Sequence, residues 1–117
     1  MIKLYGILNC QTVKKAQIWL KEQNIPFEFI DFKKNPPTKI IIQTWLKDIP
    51  LETLLNRKGT TWRKLTPEQQ TKAETEAGAV ELMCDYPSLI KRPILVADSL
   101  PTSVGFNESQ YQNLLLN

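Results

Sequence analysis

The first 32 residues switch between two hydrophobic periodicities, and that switch limits the folds open to the chain. Ile2 and Leu4 begin a short strand-like segment that ends at Gly6. After a tight loop through Leu8, Asn9 and Cys10, apolar residues recur at helical spacing: Val13, Ala16 and Leu20, with Trp19 beside them, until Asn24 closes the run. Ile25-Pro26 then leads into Phe27-Glu28-Phe29-Ile30-Asp31-Phe32, an alternating stretch that reads as a second strand. Strand, helix and strand within about thirty residues form a βαβ unit, whose crossover requires parallel strands.

The middle of the chain is helical. Pro36-Pro37-Thr38 offers a cap, and Ile41, Ile42, Trp45, Leu46 and Ile49 form a stripe at helix spacing. Pro50 starts a short turn with Leu51, Leu54 and Leu55 facing inward, followed by a basic loop from Asn56 to Lys64. Thr66-Pro67-Glu68-Gln69 is a capping box with proline at the first helical position, and helix continues to about Tyr86-Pro87 with an interruption expected near Gly78. Ile94-Leu95-Val96 reads as a third strand, Asp98 to Pro101 as a turn, and Thr102 to Phe106 as a fourth strand. Asn107-Glu108-Ser109-Gln110 repeats the capping pattern and launches a last helix through Leu114. The expected architecture is a single α/β domain over residues 1–117, in the order βαβ, helical insertion (about 36–88), then ββα.

A chain of 117 residues can bury a core without staples, and 42% hydrophobic with 23% charged residues is ordinary globular composition. The net charge of +3 is too mild to name nucleic acid or a membrane as a partner. Trp62 among Arg57, Lys58, Arg63 and Lys64 superficially suits nucleic acid, but such runs are usually solvated faces. No apolar run approaches the roughly 20 residues of a spanning helix, and the opening MIKLYGILNC soon turns polar, unlike a cleaved leader. The two cysteines, Cys10 and Cys84, lie far apart, with no CxxC pair and no histidine, which leaves no ligand set for zinc. These features describe a cytoplasmic protein, a monomer by default, whose proton chemistry proceeds without imidazole.

Cys10 stands out. It lies where a strand gives way to the first turn of a helix, and there unpaired N–H groups and the helix dipole favour an anion. A free thiol has a pKa of about 8.5, so only about 3% is thiolate at pH 7, and bringing that to half takes roughly 2 kcal/mol. A helix end supplies about 0.3–1 kcal/mol, so a cation or side-chain donor must provide the rest. The polar neighbours Asn9, Gln11 and Thr12 argue against a buried, inert sulfur. Cys84 shares a helix face with Val80 and Met83 and reads as core packing, as do Trp19 and Trp45 on their own apolar faces. Lys14 and Lys15 read as solvent-facing. Arg92-Pro93 opens the third strand, a place where proline is tolerated.

Four segments carry a resemblance. They are Tyr5 to Ala16 around Cys10, Leu54 to Leu65 around Arg57, Ile90 to Leu95 around Arg92-Pro93, and Val104 to Glu108. In this order and spacing the chain resembles the ArsC/Spx superfamily, and within it the YffB-type branch. The resemblance implies a thioredoxin-like, four-stranded mixed sheet with a helical insertion between the second and third strands. It also implies a cis peptide at Arg92-Pro93.

By the same resemblance Cys10 matches the nucleophile of arsenate reductases, Arg57 an oxyanion-binding arginine, and Arg92 the arginine before the cis-proline. The family's histidine ahead of the cysteine falls at Gly6, its serine after the cysteine at Val13, and its third arginine at Phe106. Losing three polar groups weakens an oxyanion site, because charge-assisted contacts are the strong ones. The branch's thiol reductases suit the remaining residues better. Cys10 would attack a disulfide sulfur, and Arg57 and Arg92 would anchor a glutathione carboxylate. Asn9 and the N–H groups of Gln11 and Thr12 would support the thiolate. Glutathione is then a co-substrate, no cofactor or metal is bound, and glutaredoxin is a conceivable partner. The alternatives are arsenate reduction coupled to glutaredoxin, and RNA-polymerase binding as in the Spx regulators, whose CxxC switch is interrupted here by Val13.

Overall fold

The computed structural model describes residues 1–116, which fall into two compact units: Met1–Lys34 together with the chain from Arg92 onward, and Asn35–Lys91. The second unit spans nearly the segment expected as the insertion.

The first unit is built on a four-stranded mixed sheet. Strands β1 (Ile2–Gly6), β2 (Phe27–Asp31), β3 (Ile94–Val96) and β4 (Ser103–Val104) lie in the order β2-β1-β3-β4. β1 runs parallel to β2, with Ile2 opposite Phe27 and Gly6 opposite Asp31, and antiparallel to β3, with Tyr5 opposite Ile94. β3 and β4 are antiparallel. Parallel pairing of β1 and β2 through helix α1 (Gln11–Glu22) is the βαβ unit, and with the antiparallel β3–β4 pair it gives the thioredoxin-like fold.

α1 buries Val13, Ala16, Trp19 and Leu20, the stripe read from the sequence, and ends at Asn24, whose φ of 57° places it in the left-handed region that asparagine tolerates. Helix α7 (Glu108–Leu115) starts at Asn107, whose side chain accepts from the Gln110 N–H at 3.1 Å. Leu4, Ala16, Trp19, Leu20, Leu95 and Tyr111 form the core, and the Tyr111 ring meets Trp19 and Phe106 edge-on at 5.8 and 4.8 Å. β4 is shorter than expected because Gly105, at φ 79°, ends the extended run and donates its N–H to the Pro93 carbonyl at 2.9 Å.

The second unit is helical: α2 (Lys39–Leu46), α3 (Leu51–Leu54), α4 (Thr60–Lys64), α5 (Pro67–Lys72), α6 (Glu76–Asp85) and a 3₁₀ turn over Pro87–Leu89. Thr38 caps α2 by accepting from Ile41 N–H at 3.2 Å, and Ile42, Trp45 and Ile49 of the expected stripe are buried. The Thr66–Gln69 box is formed in both directions, at 3.1 and 2.8 Å. The stretch that follows α3 is tied to the end of the unit by the Asn56 N–H on the Leu89 carbonyl (2.7 Å) and the Lys91 N–H on the Leu54 carbonyl (2.8 Å).

Two expectations for this unit need correction. The basic segment is not all loop: residues 60–64 form α4, and Arg63 folds back to donate to the Lys58 carbonyl at 3.0 Å. The helical break falls at 73–75, because Thr75 caps α6 and accepts from the Gly78 N–H at 3.1 Å, which puts Gly78 inside the helix.

Candidate active site

Cys10 is the N-cap of α1. Its backbone is extended (φ −127°, ψ 121°) while its carbonyl already accepts the first helical hydrogen bond, from Lys14 N–H at 3.0 Å. The side chain is half-buried and reduced. The thiol lacks a cap hydrogen bond of regular geometry, yet the helix's first turn still acts on it. Partial burial pushes its pKa up. The Val13 N–H, a hydrogen bond and the positive charge from Arg92, and the Thr12 N–H together outweigh that, leaving the thiol more acidic than a free cysteine.

Sheet register explains how Arg92 reaches this place. Tyr5 at the end of β1 lies opposite Ile94 at the start of antiparallel β3, so the residues just before β3 run alongside the loop that leaves β1. Arg92 is half-buried, and the Arg92–Pro93 peptide is cis, as the resemblance implies.

Of the groups expected to support the thiolate, the Thr12 N–H acts on the sulfur, and Asn9 and Gln11 are exposed beside it in sequence. Val13 was missed. An N-cap side chain addresses the N–H groups at the second and third helical positions, which are Thr12 and Val13 when Cys10 is the cap, so the capping rule alone identifies it. Beneath this turn the Val13 side chain is fully buried and seated on Gly6.

Arg57 lies in the second unit. Its guanidinium sits 5.5 Å from the Trp62 ring centroid and donates to the Ala73 carbonyl at 3.4 Å. Arg57 and Trp62 line a cavity of about 400 Å³ with Pro67, Gln70, Thr71 and Glu74.

Cys84, also in the second unit, behaves differently. It is half-buried near the end of α6, and burial raises its pKa; Lys39 opposes this, while Asp85 and Glu81 reinforce it. Val80 and Met83 on the same helix are buried, but Cys84, expected in the core with them, is only half-buried because it lies at the edge of that face. Among the described residues no cluster of three or more histidine, cysteine or acidic side chains could hold a metal ion, and no helix is long and apolar enough to cross a membrane.

The chain can be compared with known proteins on this basis. The ArsC family model matches residues 5–114. The solved structure of a YffB protein is 41% identical, superposes with a TM-score of 0.91, and is covered to 99% by 98% of this chain. An arsenate reductase (ArsC) related protein from Brucella melitensis is 43% identical with a TM-score of 0.72, over 96% of this chain and 92% of its own. An uncharacterized protein from Haemophilus influenzae is 37% identical over 96% of both chains. With the sheet, the cysteine loop and the Arg92–Pro93 turn in place, these matches assign the chain to the ArsC family.

Proposed function

We propose that the protein is a glutathione-dependent thiol reductase with Cys10 as its single nucleophile. The observation that carries this reading is the place of Cys10, the N-cap of α1 at the end of the loop that leaves β1, where Arg92 and the Val13 and Thr12 N–H groups favour its anion. The thiolate, not the thiol, is the attacking form, so a site that favours the anion favours exchange.

In the first step the Cys10 sulfur attacks the glutathione sulfur of a mixed disulfide. A Cys10–glutathione disulfide forms, the original S–S bond breaks, and the substrate leaves as a thiolate that takes a proton from water. A second glutathione then attacks the glutathione sulfur on Cys10, releasing oxidised glutathione and restoring the Cys10 thiolate. Glutathione supplies both electrons. One cysteine is enough, because the resolving thiol comes from solution. Arg92 supplies positive charge for the thiolate and for a glutathione carboxylate.

The residues around the turn favour this over arsenate chemistry. Gly6 and Val13 offer a backbone and an isopropyl group where the arsenate reductases carry polar side chains. Phe106 packs edge-on against Tyr111 at 4.8 Å instead of presenting a guanidinium. Position 13, where an Spx-type switch carries its second cysteine, is a buried valine.

The test is turnover of a small glutathione mixed disulfide in the presence of glutathione. Cys10→Ser abolishes it, and Cys84→Ser keeps most of it. Activity that survives Cys10→Ser, or that vanishes only with Cys84→Ser, contradicts the reading.

A further inference from the structure

Gly6 closes β1, and its neighbours leave it little freedom. It pairs with Asp31 across the sheet, and its carbonyl accepts the Phe32 N–H at 2.8 Å. A Cβ added there would lie 2.8 and 3.2 Å from the two γ-methyl carbons of Val13, and 3.6 Å from its Cβ. Both methyls face the glycine, so rotating the Val13 side chain only exchanges one contact for the other. Valine is stiff at χ1 in a helix, and this one is fully buried, where interiors are close-packed. The strand is pinned and the side chain is locked. Any added bulk at position 6 must therefore push on the helix.

Resting on the reading of Cys10 as nucleophile, we infer that Gly6 is a positioning residue: its bare backbone lets Val13 seat directly on β1, which fixes the first turn of α1 and holds the Val13 N–H toward the Cys10 sulfur. That N–H is one of the groups that favour the thiolate, beside Arg92 and the Thr12 N–H, so a small retreat of the turn reaches the chemistry without touching the cysteine. The pair acts as one unit. At the native backbone spacing, alanine at both positions would place two Cβ atoms 3.6 Å apart, an ordinary contact.

The experiment measures the rate of Cys10 alkylation by iodoacetamide against pH in a Cys84→Ser background. Gly6→Ala shifts the profile to higher pH and slows alkylation at pH 7 roughly three- to tenfold. Val13→Ala, which keeps the N–H but removes the seat, shifts it less. Gly6→Ala with Val13→Ala returns it close to the parent. Leu20→Ala, fully buried at the far end of α1, destabilises the fold but leaves the profile in place. A Gly6→Ala profile that matches the parent, or one that Leu20→Ala reproduces, overturns the inference. Should Gly6→Ala fail to fold, the double variant decides: a profile nearer the parent than Val13→Ala supports coupling, and one equal to Val13→Ala overturns it. The parent profile alone reports on the proposed function, and the differences between variants report on Gly6, so the two can fail separately.

Discussion

Cys10 and Cys84 are the same side chain at similar partial exposure, set at opposite ends of their helices. Burial raises the pKa of both. At Cys10 the first-turn N–H groups and Arg92 reverse that effect. At Cys84 the helix ends in carbonyls, and burial, opposed by Lys39, is reinforced by the acidic neighbours Asp85 and Glu81. Exposure therefore does not decide which thiol reacts in this chain. The first-turn N–H groups and the Arg92 hydrogen bond and charge, to which Cys84 lacks a counterpart at the far end of its helix, set them apart.

The strongest way to break this contrast is to remove the cation. Arg92→Met takes away both a hydrogen bond and a positive charge from the Cys10 sulfur. It slows alkylation of Cys10 at pH 7 by about tenfold and leaves Cys84 unchanged, read by mass spectrometry of the two peptides. An Arg92→Met protein whose two thiols keep their parental order of reactivity would show that the helix end suffices.

A smaller effect sharpens the contrast through stability. The folded-state pKa of Cys10 is depressed, so the native chain loses that proton before the unfolded chain does. Cys10 thus adds stability that is fully present above the ordinary thiol pKa of about 8.5 and is lost as pH falls through the lower folded value. Cys84 is raised, so above about pH 8.5 the unfolded chain ionises first and stability falls. Urea unfolding between about pH 7 and 10 should show the wild type gaining on Cys10→Ser, and losing ground to Cys84→Ser, as pH rises. Parallel pH dependences for the two variants would contradict the opposite shifts.

The same contrast shows how much was legible in the sequence. Elements with a local signature were readable: the Val13–Ala16–Leu20 stripe, the Asn24 stop, and the caps at Thr38, Thr66 and Asn107. Cys10 was legible because a cysteine between a strand and a helix is itself a local pattern. The Val13 N–H was latent in the same pattern and was passed over because the side chain is apolar. What stayed hidden depends on partners distant in sequence. The placing of Arg92 needs the antiparallel register of β1 and β3, and the seating of Val13 on Gly6 needs the helix packed on its strand. α4 and the break at Thr75 were missed for another reason. Basic and threonine-rich segments carry no apolar stripe, so side-chain hydrogen bonds alone set those boundaries.

The most direct measurement is the alkylation rate of each cysteine in the intact wild-type chain, followed from about pH 5 to 10. An acidified Cys10 reacts at lower pH than a free thiol does, and Cys84 at higher pH. Two profiles that both rise near pH 8.5 would remove the basis for a nucleophile at position 10.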